Sequence, residues 1–212
     1  MAFISDQSCE CLKSELDLFS VTSVKNGNWI EYHPLTTVGD DSPIEYDING
    51  TGIDYIDLAN TMLLVQAKII NMDGTNIADA DPVGPVNLWL HSLFSQVDVS
   101  LNGAQVTTLT NTYPYRAMIK TLLSYSDDIK MSQLTSSLFY EDQAGRVNIV
   151  DFGEAACNKG LWNRSRFTRG SRVVDMIGRI HADIFFQNRY LLNKVNVKIE
   201  LVRSRNSFCD ER

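Results

Sequence analysis

The chain has 212 residues, 44% hydrophobic and 21% charged, a globular composition that excludes a disordered acidic tail or a fibrous repeat. Lys plus Arg total 19 against 26 Asp plus Glu, a net charge of −7, which argues against a protein that coats nucleic acid through bulk positive charge. The charge is unevenly spread: residues 1–158 carry 7 basic and 21 acidic groups, and residues 159–212 carry 12 and 5.

Residues 1–27 are polar and irregular and are expected to form an N-terminal arm, with one amphipathic piece at 12–19. The arm shows no basic leader followed by an apolar run, so no secretory signal is expected. A single domain is expected over 28–208, with a truncated or frayed C-terminus at 209–212. Short strands are predicted at 29–32 and 44–48, between Pro34, Pro43 and a Gly39-Asp40-Asp41-Ser42 turn cluster. Residues 61–70 form a stronger one, with Leu63, Val65, Ala67 and Ile69 on one face. Pro85 opens a predicted helix carrying Val86, Trp89, Leu90, Leu93 and Phe94 at helical spacing.

A hairpin follows. Val97, Val99 and Leu101 alternate with polar residues, and Asn102-Gly103 supplies the pair favoured by a type I′ turn. That turn sets Leu101 opposite Ala104 and Ser100 opposite Gln105. A second predicted helix carries an apolar stripe of Tyr115, Met118, Ile119, Leu122 and Leu123, and a third starts at Ser126 with Asp127 and Asp128 in its first turn. Strands return at 176–186, with Met176, Gly178, Ile180, Ala182, Ile184 and Phe186 on one face, and at 195–201. Many short strands without a βαβ rhythm predict an all-β antiparallel sandwich with short helical insertions. The longest uncharged segments, 82–97 and 99–115, are broken by polar residues, so no membrane span is expected.

Motifs for chemistry are scarce. The sequence has no P-loop, no dinucleotide fingerprint and no nucleophile elbow. Cys9, Cys11, Cys157 and Cys209 match neither a disulfide framework nor paired zinc spacing, which predicts reduced thiols. His33, His91 and His181 are scattered. His181, between Arg179 and Asp183, is expected on a solvated strand face, and His91 on the polar side of its helix. No catalytic residue, metal or cofactor is therefore assigned, and an enzyme is not expected.

One stretch stands out. Residues 159–172 hold Lys159, Arg164, Arg166, Arg169 and Arg172 without an acid, interleaved with Trp162 and Phe167. Arginine with aromatics is a composition that grips a nucleic-acid backbone and stacks on bases. The competing expectation is a long surface loop whose arginines pair with the acidic N-terminal portion, within the chain or in a neighbouring copy. The acidic excess of residues 1–158 favours the pairing. Lys159, Trp162, Arg164, Arg166, Arg169 and Arg172 are the candidate assembly or nucleic-acid contacts.

Several blocks, in order, resemble the major capsid protein of Polinton/Maverick and adintovirus-type DNA viruses and related proteins encoded in animal genomes. They are Glu15-Leu16-Asp17-Leu18-Phe19, Pro43-Ile44-Glu45-Tyr46, Asp54-Tyr55-Ile56-Asp57-Leu58, Pro85-Val86-Asn87, Leu90-His91-Ser92-Leu93-Phe94-Ser95-Gln96-Val97, Leu101-Asn102-Gly103 and Tyr113-Pro114-Tyr115-Arg116. Gln187, Leu191-Leu192-Asn193 and Ile199 complete the set. The resemblance implies a jelly-roll coat protein that assembles into homotrimeric capsomers and then a capsid lattice with partners such as a penton protein. It implies a location in the virion, after assembly in the cytoplasm or nucleus of a host cell. That family carries two consecutive jelly rolls, and this length holds one, matching the N-terminal half. A lectin-like jelly roll that recognises a glycan or protein through loop aromatics such as Trp162 is the alternative.

Overall fold

The structure, a computed structural model, describes residues 27–37, 39, 42–50, 52–147 and 157–211. The chain divides into two units, Met1–Tyr32 and His33–Arg212, a boundary slightly later than the one expected after residue 27. The amphipathic piece at 12–19 lies outside the described residues. Residues 29–32, expected as a strand, form none, and Trp29 and Ile30 are exposed.

In the second unit the strands are β1 (Ile44–Ile48), β2 (Met62–Ala67), β3 (Gly84–Pro85), β4 (Phe94–Leu101), β5 (Ala104–Gln105), β6 (Val174–Arg179), β7 (Val197–Arg203) and β8 (Asp210–Glu211). The α-helices are α1 (Trp89–Ser92), α2 (Tyr113–Ser124), α3 (Asp127–Met131), α4 (Lys159–Thr168) and α5 (Asn206–Cys209). Together with four 3-10 turns they hold more of the described residues than the strands do. The all-β expectation is corrected to antiparallel sheets with a substantial helical part, because the described residues between β5 and β6 include α2, α3 and α4.

One antiparallel sheet has the order β1-β7-β4-β5, and β2 pairs with β6 in a second. Alternation explains both. Ile44 and Ile48 of β1, Val97 and Val99 of β4, and Val197, Ile199 and Leu201 of β7 point into the core, where Leu63 of β2 and Val174 and Met176 of β6 join one contiguous cluster. The opposite face of the four-stranded sheet is charged. Glu45 and Glu200 lie in register across β1 and β7, and Lys198 reaches both carboxylates at 3.2 and 2.6 Å. The lysine offsets a like-charge pair, and its ammonium pKa is raised by hydrogen bonds to Glu200 and then Glu45.

The hairpin forms as its turn residues dictate: Asn102 and Gly103 sit at φ 49° and 79°, and Leu101 and Ser100 face Ala104 and Gln105. Elsewhere tertiary packing overrides local pattern. The helix expected from Pro85 to Phe94 shrinks to the single turn α1, because Phe94 already belongs to β4 and is committed to pairing with β7. Ser95 bulges from that ladder, its hydroxyl donating to the carbonyls of Val202 and Arg203. The strand expected over 176–186 ends at Arg179. A 3-10 turn, Asp183–Phe186, then shifts the phase so that Phe185, rather than Ile184 or Phe186, is fully buried. At the other end, α5 leads into β8, which pairs with β3.

Helix α2 starts at Tyr113 with Pro114 in its first turn, as expected, but buries Tyr113, Ala117 and Thr121 instead of the apolar stripe. Tyr115, Ile119, Leu122 and Leu123 are exposed, and Met118 is half-buried. Replacing Gly103 by alanine, which places a side chain at φ 79°, is expected to cost about 1 kcal/mol. Urea unfolding monitored by tryptophan fluorescence measures it.

Candidate functional site

The basic stretch is a helix, not the expected surface loop. Asn158 caps α4, its side-chain oxygen accepting from the Gly160 N–H at 3.1 Å. Leu161, Arg164, Ser165 and Thr168 then recur at helical spacing on one buried face. Two glycines allow this face to approach closely. A Cβ at Gly84 would lie 2.8 Å from Leu161 Cδ1, and one at Gly160 would lie 2.6 Å from the Glu141 carbonyl.

Arg164 is the corrected member of the candidate set. Expected at a surface, it is completely buried. Its Nε donates to the Pro85 carbonyl at 2.9 Å, and its Nη1 donates to the Tyr140 carbonyl and to Asp142 Oδ1, both at 2.9 Å. Asp142 also accepts from Asn158 Nδ2 at 2.8 Å and from Asn87 Nδ2 at 3.2 Å. The Asn87 oxygen in turn accepts from the N–H groups of Leu88 and Tyr140. Arg164 thus pairs with an acid of the N-terminal portion inside the chain. It is a structural cation, held through Nε and Nη1, while its buried Nη2 has no hydrogen-bond partner among the described residues.

The others divide differently. Lys159 is exposed in the first turn of α4. Trp162, on the helix rather than on a loop, is half-buried beneath Arg166, whose guanidinium lies 5.1 Å from its ring centre. Arg169 is half-buried at the turn that follows α4. Arg166 and Arg172 line an open cleft of about 570 Å³ with Tyr140, Asn163, Phe167, Val173, Val174 and Asp175. Tyr140 and Asp175 come from other segments, and no local signal in the sequence marks them.

A second cluster departs from the sequence expectation. His91 and His181, both expected in solvent, are buried and meet ring edge to ring face with centres 4.5 Å apart. The Tyr113 hydroxyl accepts from the His181 backbone N–H at 3.2 Å and lies 2.9 Å from His91 Nδ1. Burial, and then His181, hold the His91 pKa well below the ordinary imidazole value. Burial, followed by Lys120 and Arg179, lowers that of His181 to about 4. Burial raises the Tyr113 phenol. Lys120 and Arg179 also flank Phe186, at 4.4 and 5.4 Å from its ring centre, and Lys120 is held by Asp183 at 2.6 Å.

Among the described residues no group of three or more His, Cys, Asp or Glu side chains is placed to hold a metal ion. No helix among them is long and apolar enough to cross a membrane. Cys157 is a free thiol, the Cys209 thiol donates to the carbonyls of Ser92 and Arg205, and Cys9 and Cys11 lie outside the described residues.

No protein-family model matches the chain. An uncharacterized protein of Caenorhabditis elegans is 24% identical over 198 residues, which is 90% of this chain and 44% of that protein. The chain spans less than half the length of this relative.

The histidine pair generates a pH dependence. Above the unfolded imidazole pKa of ~6.5 both rings are neutral in both states, and the folded protein has its full stability. As pH falls, the unfolded chain takes up protons that the folded one refuses. Each histidine then removes up to ~1.4 kcal/mol of stability per pH unit. For His181 the loss runs from ~6.5 down to about 4. Urea unfolding at a series of pH values is expected to show this decline, with a shallower slope in His181→Gln.

Proposed function

We propose that this chain is a jelly-roll subunit of a self-assembling coat, in which copies associate as a trimer and then in a capsid lattice. The observation that carries the reading is the asymmetry of its outer surfaces. The four-stranded sheet turns a charged face to solvent, centred on Glu45, Lys198 and Glu200. The β2–β6 pair does not: Leu64 stands in register with Ile177, both exposed, and Met62 lies beside them at 45% exposure. The outward stripe of α2, with Leu123 82% exposed, is a further apolar surface. Apolar patches of this kind mark sites that another chain covers.

Three further points support the reading. The antiparallel layers and their shared core suit a jelly roll, and the resemblance to capsid proteins runs in order along the chain. More than half of the C. elegans relative lies outside the matched segment, which agrees with an architecture of two successive barrels.

Sedimentation velocity tests the proposal. The chain is expected to sediment as a trimer or larger species at micromolar concentration, and Leu64→Asp with Leu123→Asp is expected to shift it toward monomer. A monomer at all concentrations, or an oligomer indifferent to both substitutions, contradicts the reading.

A further inference from the structure

We propose that the cleft between α4 and the start of β6 binds single-stranded nucleic acid, with a base stacked on Phe167 and phosphates held by Arg166 and Arg172. The inference does not rest on the coat-protein reading; a monomer that binds would leave it standing.

The cleft has the size of a small-ligand site: its volume of about 570 Å³ falls within the ~300–1,000 Å³ typical of such sites. Its two cations are available. Among the described residues neither Arg166 nor Arg172 has an ion-pair partner, although Asp175 lines the same cleft. Arg164, two positions from Arg166, is completely buried and paired with Asp142, so the two exposed cations are a surface feature and not a spill-over from the core. Both are also held in place. Arg166 is stacked over Trp162. Arg172 follows a turn in which Gly170 and Ser171 both adopt left-handed backbone, at φ 61° and 58°.

That turn is strained at Ser171, since left-handed backbone disfavours a residue with a Cβ. The strain is held by a buried hydrogen bond in which the Ser171 hydroxyl accepts from the Ile77 N–H at 2.9 Å. Backbone held in this way is characteristic of sites that present a side chain. Phe167 is 46% exposed, and its ring centre lies 6.2 Å from that of Tyr140, so the cleft offers aromatic surface as well as its guanidiniums. Charge alone would suit an acidic peptide equally. The exposed ring decides for a nucleotide, which brings a flat base and a phosphate together. Asp175 would meet a base donor or repel a misplaced phosphate.

The test uses the full chain and a fluorescein-labelled oligothymidylate of twelve nucleotides, with polyglutamate of equal charge and inorganic phosphate as competitors. Fluorescence anisotropy at low salt is expected to show binding, with a log–log salt slope of about −1.4 for two phosphate contacts on a single strand. Arg166→Ala with Arg172→Ala is expected to flatten that slope toward zero. Phe167→Ala is expected to weaken binding roughly ten-fold or more while leaving the slope in place. All three side chains are exposed, so the variants should keep the wild-type circular dichroism spectrum. Absence of binding, binding indifferent to these variants, or equal displacement by polyglutamate would overturn the proposal, the last in favour of an acidic peptide.

Discussion

The buried Arg164–Asp142 pair is the contact on which the arrangement of this protein depends. A guanidinium taken completely out of water is tolerable only when its charge and donors are answered. Here the answers come from two separate stretches of the chain: the Pro85 carbonyl of β3, and the Tyr140 carbonyl together with the Asp142 carboxylate. Satisfying one side chain therefore fixes α4 against a strand and against the segment that follows α3. Asn158 and Asn87 complete the network by holding the two Asp142 oxygens.

What is fixed there positions the surface. Because Arg164 locks the rotation of α4, Arg166 and Phe167 face outward into the cleft while Leu161 and Ser165 press on Gly84. The same β3 segment pairs with β8, so the C-terminal residues are drawn to the network's edge. On the far side, α1 turns on Leu88, whose φ of 56° is left-handed and whose N–H bonds to Asn87 and to the Leu138 carbonyl. The turn places His91 against Tyr113 and His181 in the core. The histidine pair and the basic helix are thus two consequences of how residues 84–92 are pinned.

Much of the sheet was legible from alternation. Val197, Ile199 and Leu201 are buried on one side of β7, and Leu63 and Ile69 mark the inward face around β2. The Asn102-Gly103 turn was legible because its backbone requirement is local. The helices were less so. The periodicity of α2 located the helix, yet its apolar stripe faces outward, because amphipathic pattern identifies a face without saying which partner covers it. His181 looked solvated because strand alternation was projected past Arg179, where the strand ends. Of the candidate site, the composition of 159–172 pointed to the right segment but could not separate Arg164 from Arg166. That separation depends on Asp142, Tyr140 and Asp175, brought together only by the fold.

The central claim is that Arg164 and Asp142 form a structural pair and not two independent surface charges. A double-mutant cycle of Arg164→Met and Asp142→Ala, read by urea unfolding at pH 7.5, tests it most directly. Each single variant is expected to cost roughly 3–5 kcal/mol, because it strands the other partner. The double variant should lose less than the sum, by about 2 kcal/mol or more. Additivity to within ~0.5 kcal/mol would contradict the account.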